Sequence, residues 1–214
     1  MTSRNSVIIG EGYPFIIPPA ILCLLFAFAG MGAAAFFFAL LTLFVTCFFR
    51  NPERRIPDGA DLIVSPADGR VLRIEEVEGS PFGEGRRKKV SIFMTVFNVH
   101  VNRAPCSGTV QSVRYHKGRF LSANLDKASE LNERNAILVL TDSGREVITV
   151  QIAGLIARRI VCWIREGMRV QKGERFGLIR FGSRLEVVLP QDSKIEVREG
   201  DRVKAGETPL GRLA

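Results

Sequence analysis

The stretch Arg175-Phe176-Gly177-Leu178-Ile179-Arg180-Phe181-Gly182-Ser183-Arg184-Leu185-Glu186-Val187-Val188-Leu189-Pro190 governs the reading of this chain. Two short β-like runs, 175–180 and 185–190, flank a Gly-Ser step at Gly182-Ser183. Apolar runs bounded by turn residues read as strands, and a Gly-Ser bond between them reads as a turn. Outward on both sides the sequence repeats. Ile164-Arg165-Glu166-Gly167-Met168-Arg169-Val170-Gln171-Lys172-Gly173-Glu174 recurs 33 residues later as Val197-Arg198-Glu199-Gly200-Asp201-Arg202-Val203-Lys204-Ala205-Gly206-Glu207. Each copy reads strand, Glu-Gly turn, Val, Gly-Glu turn, strand. Two copies are too few for a solenoid, so a small pseudo-symmetric β-sandwich is expected, with Ser183 between its halves.

Further out, strand-like runs at 71–77, 89–97, 108–115, 136–141 and 146–152 are divided by Gly, Pro and Asp. Residues 80–87 read as a charged, Gly-rich surface loop, and 119–135 as a polar loop that covers or lines something. The fold class is therefore mainly β (α+β). With 64–71 added, the pseudo-repeat resembles the barrel-sandwich modules of biotinyl and lipoyl domains.

The chain has 214 residues, enough for one domain with a tail. Residues 14–49 carry no charged side chain, longer than the roughly 20 apolar residues that span a bilayer once. Two short helices broken around Gly30-Met31-Gly32 suit that length, giving an N-terminal membrane helical hairpin over 1–50 and a β-rich domain over 51–214. No secretory cleavage site follows the apolar run, so it reads as a retained anchor. The flank Arg50-Asn51-Pro52-Glu53-Arg54-Arg55 places its end on the cytoplasmic side of a cell (inner) membrane. A net charge of +8 draws such a domain to anionic lipid. No basic helix with interleaved aromatics argues for nucleic acid. Cys23, Cys47, Cys106 and Cys162 form neither a disulfide framework nor a metal-ligand spacing, and Cys106 beside Pro105 reads as inert packing.

Three motifs carry chemistry. A Ser183 hydroxyl can attack the preceding carbonyl, and Gly182 offers no Cβ to hinder approach. The resulting ester can undergo β-elimination to dehydroalanine, which loses ammonia to become a pyruvoyl group. Serine is a weak nucleophile, so a base and an oxyanion donor are required. His100, in Asn98-Val99-His100-Val101-Asn102-Arg103-Ala104-Pro105, follows an apolar run and has the pKa range of a proton shuttle. His116, in a basic turn, is the alternative base. Asp68, in Ser65-Pro66-Ala67-Asp68-Gly69-Arg70, is a turn residue or the carboxylate that orients His100.

On these three motifs the chain, from about residue 51 to 214, resembles the short-form phosphatidylserine decarboxylases. The resemblance implies that Asp68, His100 and Ser183 form the self-processing machinery, with cleavage between Gly182 and Ser183. A large β chain (1–182) and a small pyruvoyl α chain (183–214) would then form a heterodimer of fragments, with any higher oligomer left open. It further implies a Schiff base between the pyruvoyl group and phosphatidylserine, loss of CO2 and release of phosphatidylethanolamine, with no metal. Arg103, His116 and Arg134 are its candidate substrate contacts, Arg134 lying in a family-like segment, Leu131-Asn132-Glu133-Arg134-Asn135. Long-form members carry Leu-Gly-Ser-Thr and two histidines around the second motif; Phe181-Gly182-Ser183-Arg184 and a single His100 stand here. Whether His100 serves both processing and decarboxylation, or Asn102 and Arg103 share the work, stays open. Two rivals remain: a membrane-tethered barrel-sandwich carrier modified at Lys172 or Lys204, and a serine hydrolase, which lacks its G-x-S-x-G elbow.

Overall fold

The computed structural model describes residues 6–119, 131–154, 159–180 and 183–214. The chain divides into two compact units, Met1–Glu53 and Arg54–Ala214. In the first, helices α1 (Tyr13–Phe28) and α2 (Gly32–Phe48) are separated at Gly30, whose φ of 72° favours glycine. Phe26 and Phe38 stack between them with ring centroids 5.4 Å apart. Thr42 and Thr46 return their hydroxyls to carbonyls four residues back, leaving little polar demand on the helix surface. Phe28, Leu24, Phe36, Phe37 and Leu43 are exposed, so the pair presents apolar surface outward. Among the described residues, Gly10–Phe28 is the one helical stretch long and apolar enough to cross a membrane.

The second unit is built of short strands: β1 (Leu62–Val64), β2 (Gly69–Ser80), β3 (Gly83–Met94), β4 (Val101–Arg103), β5 (Gly108–His116), β6 (Arg134–Leu140) and β7 (Glu146–Ala153). They continue as β8 (Ile160–Cys162), β9 (Arg169–Val170), β10 (Arg175–Ile179), β11 (Ser183–Pro190), β12 (Lys194–Ile195), β13 (Arg202–Val203) and β14 (Pro209–Arg212). An eight-stranded sheet, β13-β2-β3-β11-β7-β6-β5-β9, curls into a half-barrel, and two three-stranded sheets, β1-β14-β12 and β4-β10-β8, complete the unit. The mainly β class is as the sequence indicates.

Strand β11 is central and paired antiparallel on both sides, to β3 and to β7. Its alternation divides two layers. Leu185, Val187 and Leu189 join Val90, Ile92, Met94, Val147, Ile137 and Phe176 in the main core. Val188 points the other way, with Ala136, Ile148, Val150 and Ile152. Each of these fully buried aliphatic side chains contributes about 1.5–3 kcal/mol.

The segment 80–87, read as a loop, is instead the end of the β2–β3 hairpin, with Glu78 opposite Arg86 and Ser80 opposite Gly83. Cross-strand ion pairs, Glu78–Arg86 at 2.8 Å and Glu75–Lys89 at 3.1 Å, let a polar sequence pair as a ribbon. The hairpin tip folds over the second layer: Arg114 Nη1 donates to the Pro81 carbonyl at 2.7 Å, and its guanidinium lies 4.8 Å from the Phe82 ring centroid. Strand β3 ends at Met94, earlier than the run 89–97 suggests. Most of the loop expected over 119–135 lies outside the described residues.

The two similar segments make matching bonds. Gly167 N–H donates to Val110 O and Gly200 N–H to Val71 O, each at 2.8 Å. Glu166 accepts from Val113 N–H and Glu199 from Ile74 N–H. Gly173 and Gly206, at φ 79° and 76°, donate at 2.8 Å to Ala104 O and Ser65 O. A side chain at Gly206 would meet Arg103 Cδ at 2.9 Å.

Replacing Leu185 by Ala should cost about 2–5 kcal/mol and lower the melting temperature of the detergent-solubilised chain, because it hollows the layer where three strands meet. Unchanged unfolding would show that β11 does not organise this core.

Candidate active site around Ser183

Ser183 is the first residue of β11, fully buried, opposite Met94 on one side and Ala153 on the other. The expected turn residue is thus the head of the central strand, while Phe181 and Gly182 lie outside the described residues. Its hydroxyl donates to Met94 Sδ at 3.3 Å. A thioether is a weak acceptor, so this hydroxyl is kept from water and held by little.

His100 is also buried. It follows a turn in which Asn98 Oδ1 accepts from both the N–H and the hydroxyl of Thr95, at 2.8 and 2.9 Å. The Asn98 carbonyl lies 2.9 Å from His100 Nδ1. A carbonyl only accepts, so Nδ1 carries a proton, and in the neutral form of the ring the lone pair is then at Nε2. Asn98 therefore makes the tautomer-fixing contact. Two routes bring His100 to the same end of the sheet as Ser183. Met94, opposite Ser183, precedes it by one turn, and Val101 pairs with Leu178 on β10, the strand that leads toward Ser183.

Asp68 closes the third motif. Arg54 Nη2 donates to both carboxylate oxygens, at 3.0 and 2.9 Å, and Ala205 N–H donates to Oδ1 at 2.8 Å. Its carboxylate is occupied by these partners rather than by His100. The motif nevertheless touches the histidine segment through Arg103 N–H, which donates to Pro66 O at 2.9 Å. Gly69, next in the chain, lies so close to Phe93 that an added Cβ would stand 2.2 Å from its carbonyl oxygen. All three motifs thus meet near the end of β3. Arg54, read in the sequence only as part of a positive flank, is a half-buried member of this group that also pairs with Glu207 at 3.5 Å.

The candidate substrate contacts are placed differently. Arg103 is buried, and its Nη1 donates to Gly173 O at 2.8 Å. His116 and Arg134 are cross-strand partners at the ends of β5 and β6. They line a cavity of about 680 Å³ with Lys89, Val150, Glu186 and Val188. Strand alternation puts that cavity on the face opposite the Ser183 side chain. The segments that carry Asp68, His100 and Ser183 thus run near the end of β3, while His116 and Arg134 lie across the sheet from the Ser183 side chain.

Two further groups stand near these residues, the first not singled out in the sequence and the second within the family-like segment 131–135. Arg184, Glu186 and Ser91 form a buried cluster beneath that cavity, with Arg184 Nη2 2.7 Å from Glu186 and 2.9 Å from Ser91 Oγ. Asn132 Nδ2 donates at 2.8 Å to the carbonyl of Ala153, the β7 partner of Ser183. Charged residues in strands such as Arg184 and Glu186 give no signal of this kind, because their partners come from distant positions.

A mainly β domain with a buried serine heading its central strand, flanked by a buried histidine and a paired aspartate, is the class that fold and site define. Comparison with known proteins narrows it. The family model for phosphatidylserine decarboxylase matches residues 41–211. A phosphatidylserine decarboxylase proenzyme of Syntrophus aciditrophicus is 59% identical over 209 residues, covering 97% of this chain and 98% of the relative. Proteins of the same name from Desulfotalea psychrophila and Burkholderia pseudomallei are 48% and 46% identical over 95% and 100% of this chain, covering 95% and 98% of those relatives. The chain belongs to the phosphatidylserine decarboxylase family.

Replacing Arg54 by Leu leaves the Asp68 carboxylate without its ion-pair partner and should cost about 3–5 kcal/mol, read by denaturant titration. Unaltered stability would mean the pair is not maintained in solution. Burial, with Asp142 acting in the same direction, pushes the Cys106 thiol up to about 12. At pH 8 it stays protonated, so iodoacetamide should modify Cys106 only after unfolding. Rapid alkylation of the native chain would contradict this burial.

Proposed function

We propose that this chain is a precursor that cuts itself between Gly182 and Ser183 and then converts phosphatidylserine to phosphatidylethanolamine and CO2. The observation that carries the reading is Ser183 itself: a fully buried hydroxyl, weakly held by Met94 Sδ, in a family whose relatives are named proenzymes. In the proposed processing, Ser183 Oγ attacks the Gly182 carbonyl and the peptide becomes an ester. Loss of the Ser183 α-proton with departure of the Gly182 carboxylate leaves dehydroalanine, and water then releases ammonia. The pyruvoyl group so formed supplies an electron sink for decarboxylation. The burial of Ser183 fits such a group, because it would stand in a site closed to competing water.

His100 is proposed as the base through Nε2. Asp68 is proposed to position it indirectly, by holding the 65–68 turn that bonds Arg103 and by gripping Ala205 from the C-terminal segment. His116 and Arg134, across the sheet, are proposed to draw anionic headgroups rather than to touch reacting atoms; Arg103 keeps a structural bond. A heterodimer of 1–182 and 183–214 is supported by strand order. The small fragment supplies the central β11 and the middle strand β14, so separating the fragments would open both sheets. The matching turns of 164–174 and 197–207 support the barrel-sandwich pseudo-repeat. The apolar helices, with the Arg50–Arg55 flank, support a hairpin anchored in the inner membrane and facing the cytoplasm.

Intact mass under denaturing conditions tests this. Two chains split after Gly182 are expected, the smaller lighter by one ammonia than a serine-started peptide, and Ser183→Ala should remain one chain. A native chain that stays uncut with lipid present would refute the proposal.

A further inference from the structure

Among the described residues of the β-rich unit, large apolar side chains are exposed at three positions, Phe97, Tyr115 and Leu131. Single exposed apolar residues are ordinary on a protein surface. These three share one end of the eight-stranded sheet. Met94, Ser183 and Ala153 lie side by side on β3, β11 and β7. The neighbouring row runs Phe93, Arg184, Ile152, Arg134 and His116 across five strands. Phe97 stands three residues beyond Met94, Tyr115 one before His116 and Leu131 three before Arg134. Chain reach keeps Phe97 and Leu131 within about 11 Å of those rows. Asn132, next to Leu131, is tied to the Ala153 carbonyl beside Ser183.

Phe97 is 73% exposed on a fixed turn, closed by Asn98 N–H to Thr95 O at 3.0 Å and by the Asn98 side chain on Thr95. Exposed basic residues stand beside the apolar ones. Lys117 and Arg119 follow His116, and Arg119 N–H donates to Leu131 O at 2.7 Å. The carbonyl of Arg159 accepts at 3.2 Å from the N–H of Arg180, three residues before Ser183. The Arg159 charge also acts on the Tyr115 hydroxyl, which bonds Glu133. Away from this end, Arg86, Arg87, Arg145 and Arg169 are paired with Glu78, Glu146, Asp192 and Asp142. Apolar tips set among basic groups match the surface of an anionic bilayer, where rings and aliphatic chains sink below the headgroups and cations meet phosphates.

We infer that this end of the β-rich unit docks on an anionic lipid bilayer, with Phe97 and Leu131 entering the headgroup layer and Lys117, Arg119 and Arg159 meeting lipid phosphates. Tyr115 sits at the boundary, its ring toward lipid and its hydroxyl on Glu133. Apolar helices can hold a chain on a membrane, but they do not choose which end of a second unit faces it; these side chains do. The docked end is the one that carries Ser183, so a headgroup reaches the serine while its acyl chains stay in the bilayer. That consequence rests on the decarboxylase reading above, whereas the docking itself requires no reaction.

The test uses the full chain in vesicles of phosphatidylglycerol and phosphatidylcholine with brominated acyl chains, which quench indole fluorescence on contact. Trp163 is the one tryptophan, so Phe97→Trp in a Trp163→Phe background reports on the turn alone. Ser143→Trp, in the β6–β7 turn at the other end of the sheet, is the control. The indole of Phe97→Trp should lose emission to bromine and that of Ser143→Trp should keep it. Serine at Lys117, Arg119 and Arg159 together should restore the emission. Equal loss at both positions, or none at either, overturns the inference. A second readout compares substrates. Phe97→Ser should slow decarboxylation of bilayer phosphatidylserine by about tenfold, the change that burying one Phe side chain corresponds to. It should leave the rate on dispersed short-chain phosphatidylserine unchanged, and equal slowing on both substrates overturns the docking. Should Trp163→Phe fail to fold, this comparison decides. A native chain without decarboxylase activity would sink the decarboxylase reading, and the bromine result would then decide the docking by itself.

Discussion

Strand β11 is hydrogen-bonded along one edge to β3 and along the other to β7, so neither edge meets water. Its register sets every side chain in the vicinity, because a slip of one residue would exchange the two faces. With Leu185, Val187 and Leu189 held in the main core, Ser183 must point into the same layer. Arg184 and Glu186 must then point to the other side, where they neutralise each other and bond Ser91. The burial of the serine is a consequence of aliphatic packing two to six residues away.

Polar groups in this core are few and mostly committed. Asp68 is bound by Arg54 and Ala205, the amide of Asn135 by Gln151, and that of Gln151 by Asn102. Ser183 Oγ holds only a weak sulfur acceptor, and among the described residues Asn102 Nδ2, Thr149 Oγ1 and Ser193 Oγ are buried without a hydrogen-bond partner. Ser183 differs from these in heading the central strand beside the end of β3.

Asp68 illustrates how a contact can be legible in type but not in partner. A carboxylate in a Pro-Ala-Asp-Gly turn suggests a charged or hydrogen-bonded role, and it has one. Its partners come from Arg54, fourteen residues earlier, and from Ala205, at the far end of the chain. Nothing in local spacing distinguishes Arg54 from Arg55, which differ only in which way the chain turns them. His116 and Arg134 show the opposite case. Basic residues near a family-like segment suggest one site with Ser183, yet strand parity carries them to the other face.

The sequence by itself determined the mainly β class, the two apolar helices broken near Gly30, the run of β11 and the three motifs. These depend on periodicity, on turn residues and on neighbours in the chain, which any segment carries with it. Only the tertiary structure decided that 80–87 is paired ribbon, that Ser183 is buried in a central strand, and that Asn98 orients His100 while Arg54 takes Asp68. Each of those outcomes turns on which of two strand faces meets which neighbour, a choice made by the packing of the whole sheet and absent from any local stretch.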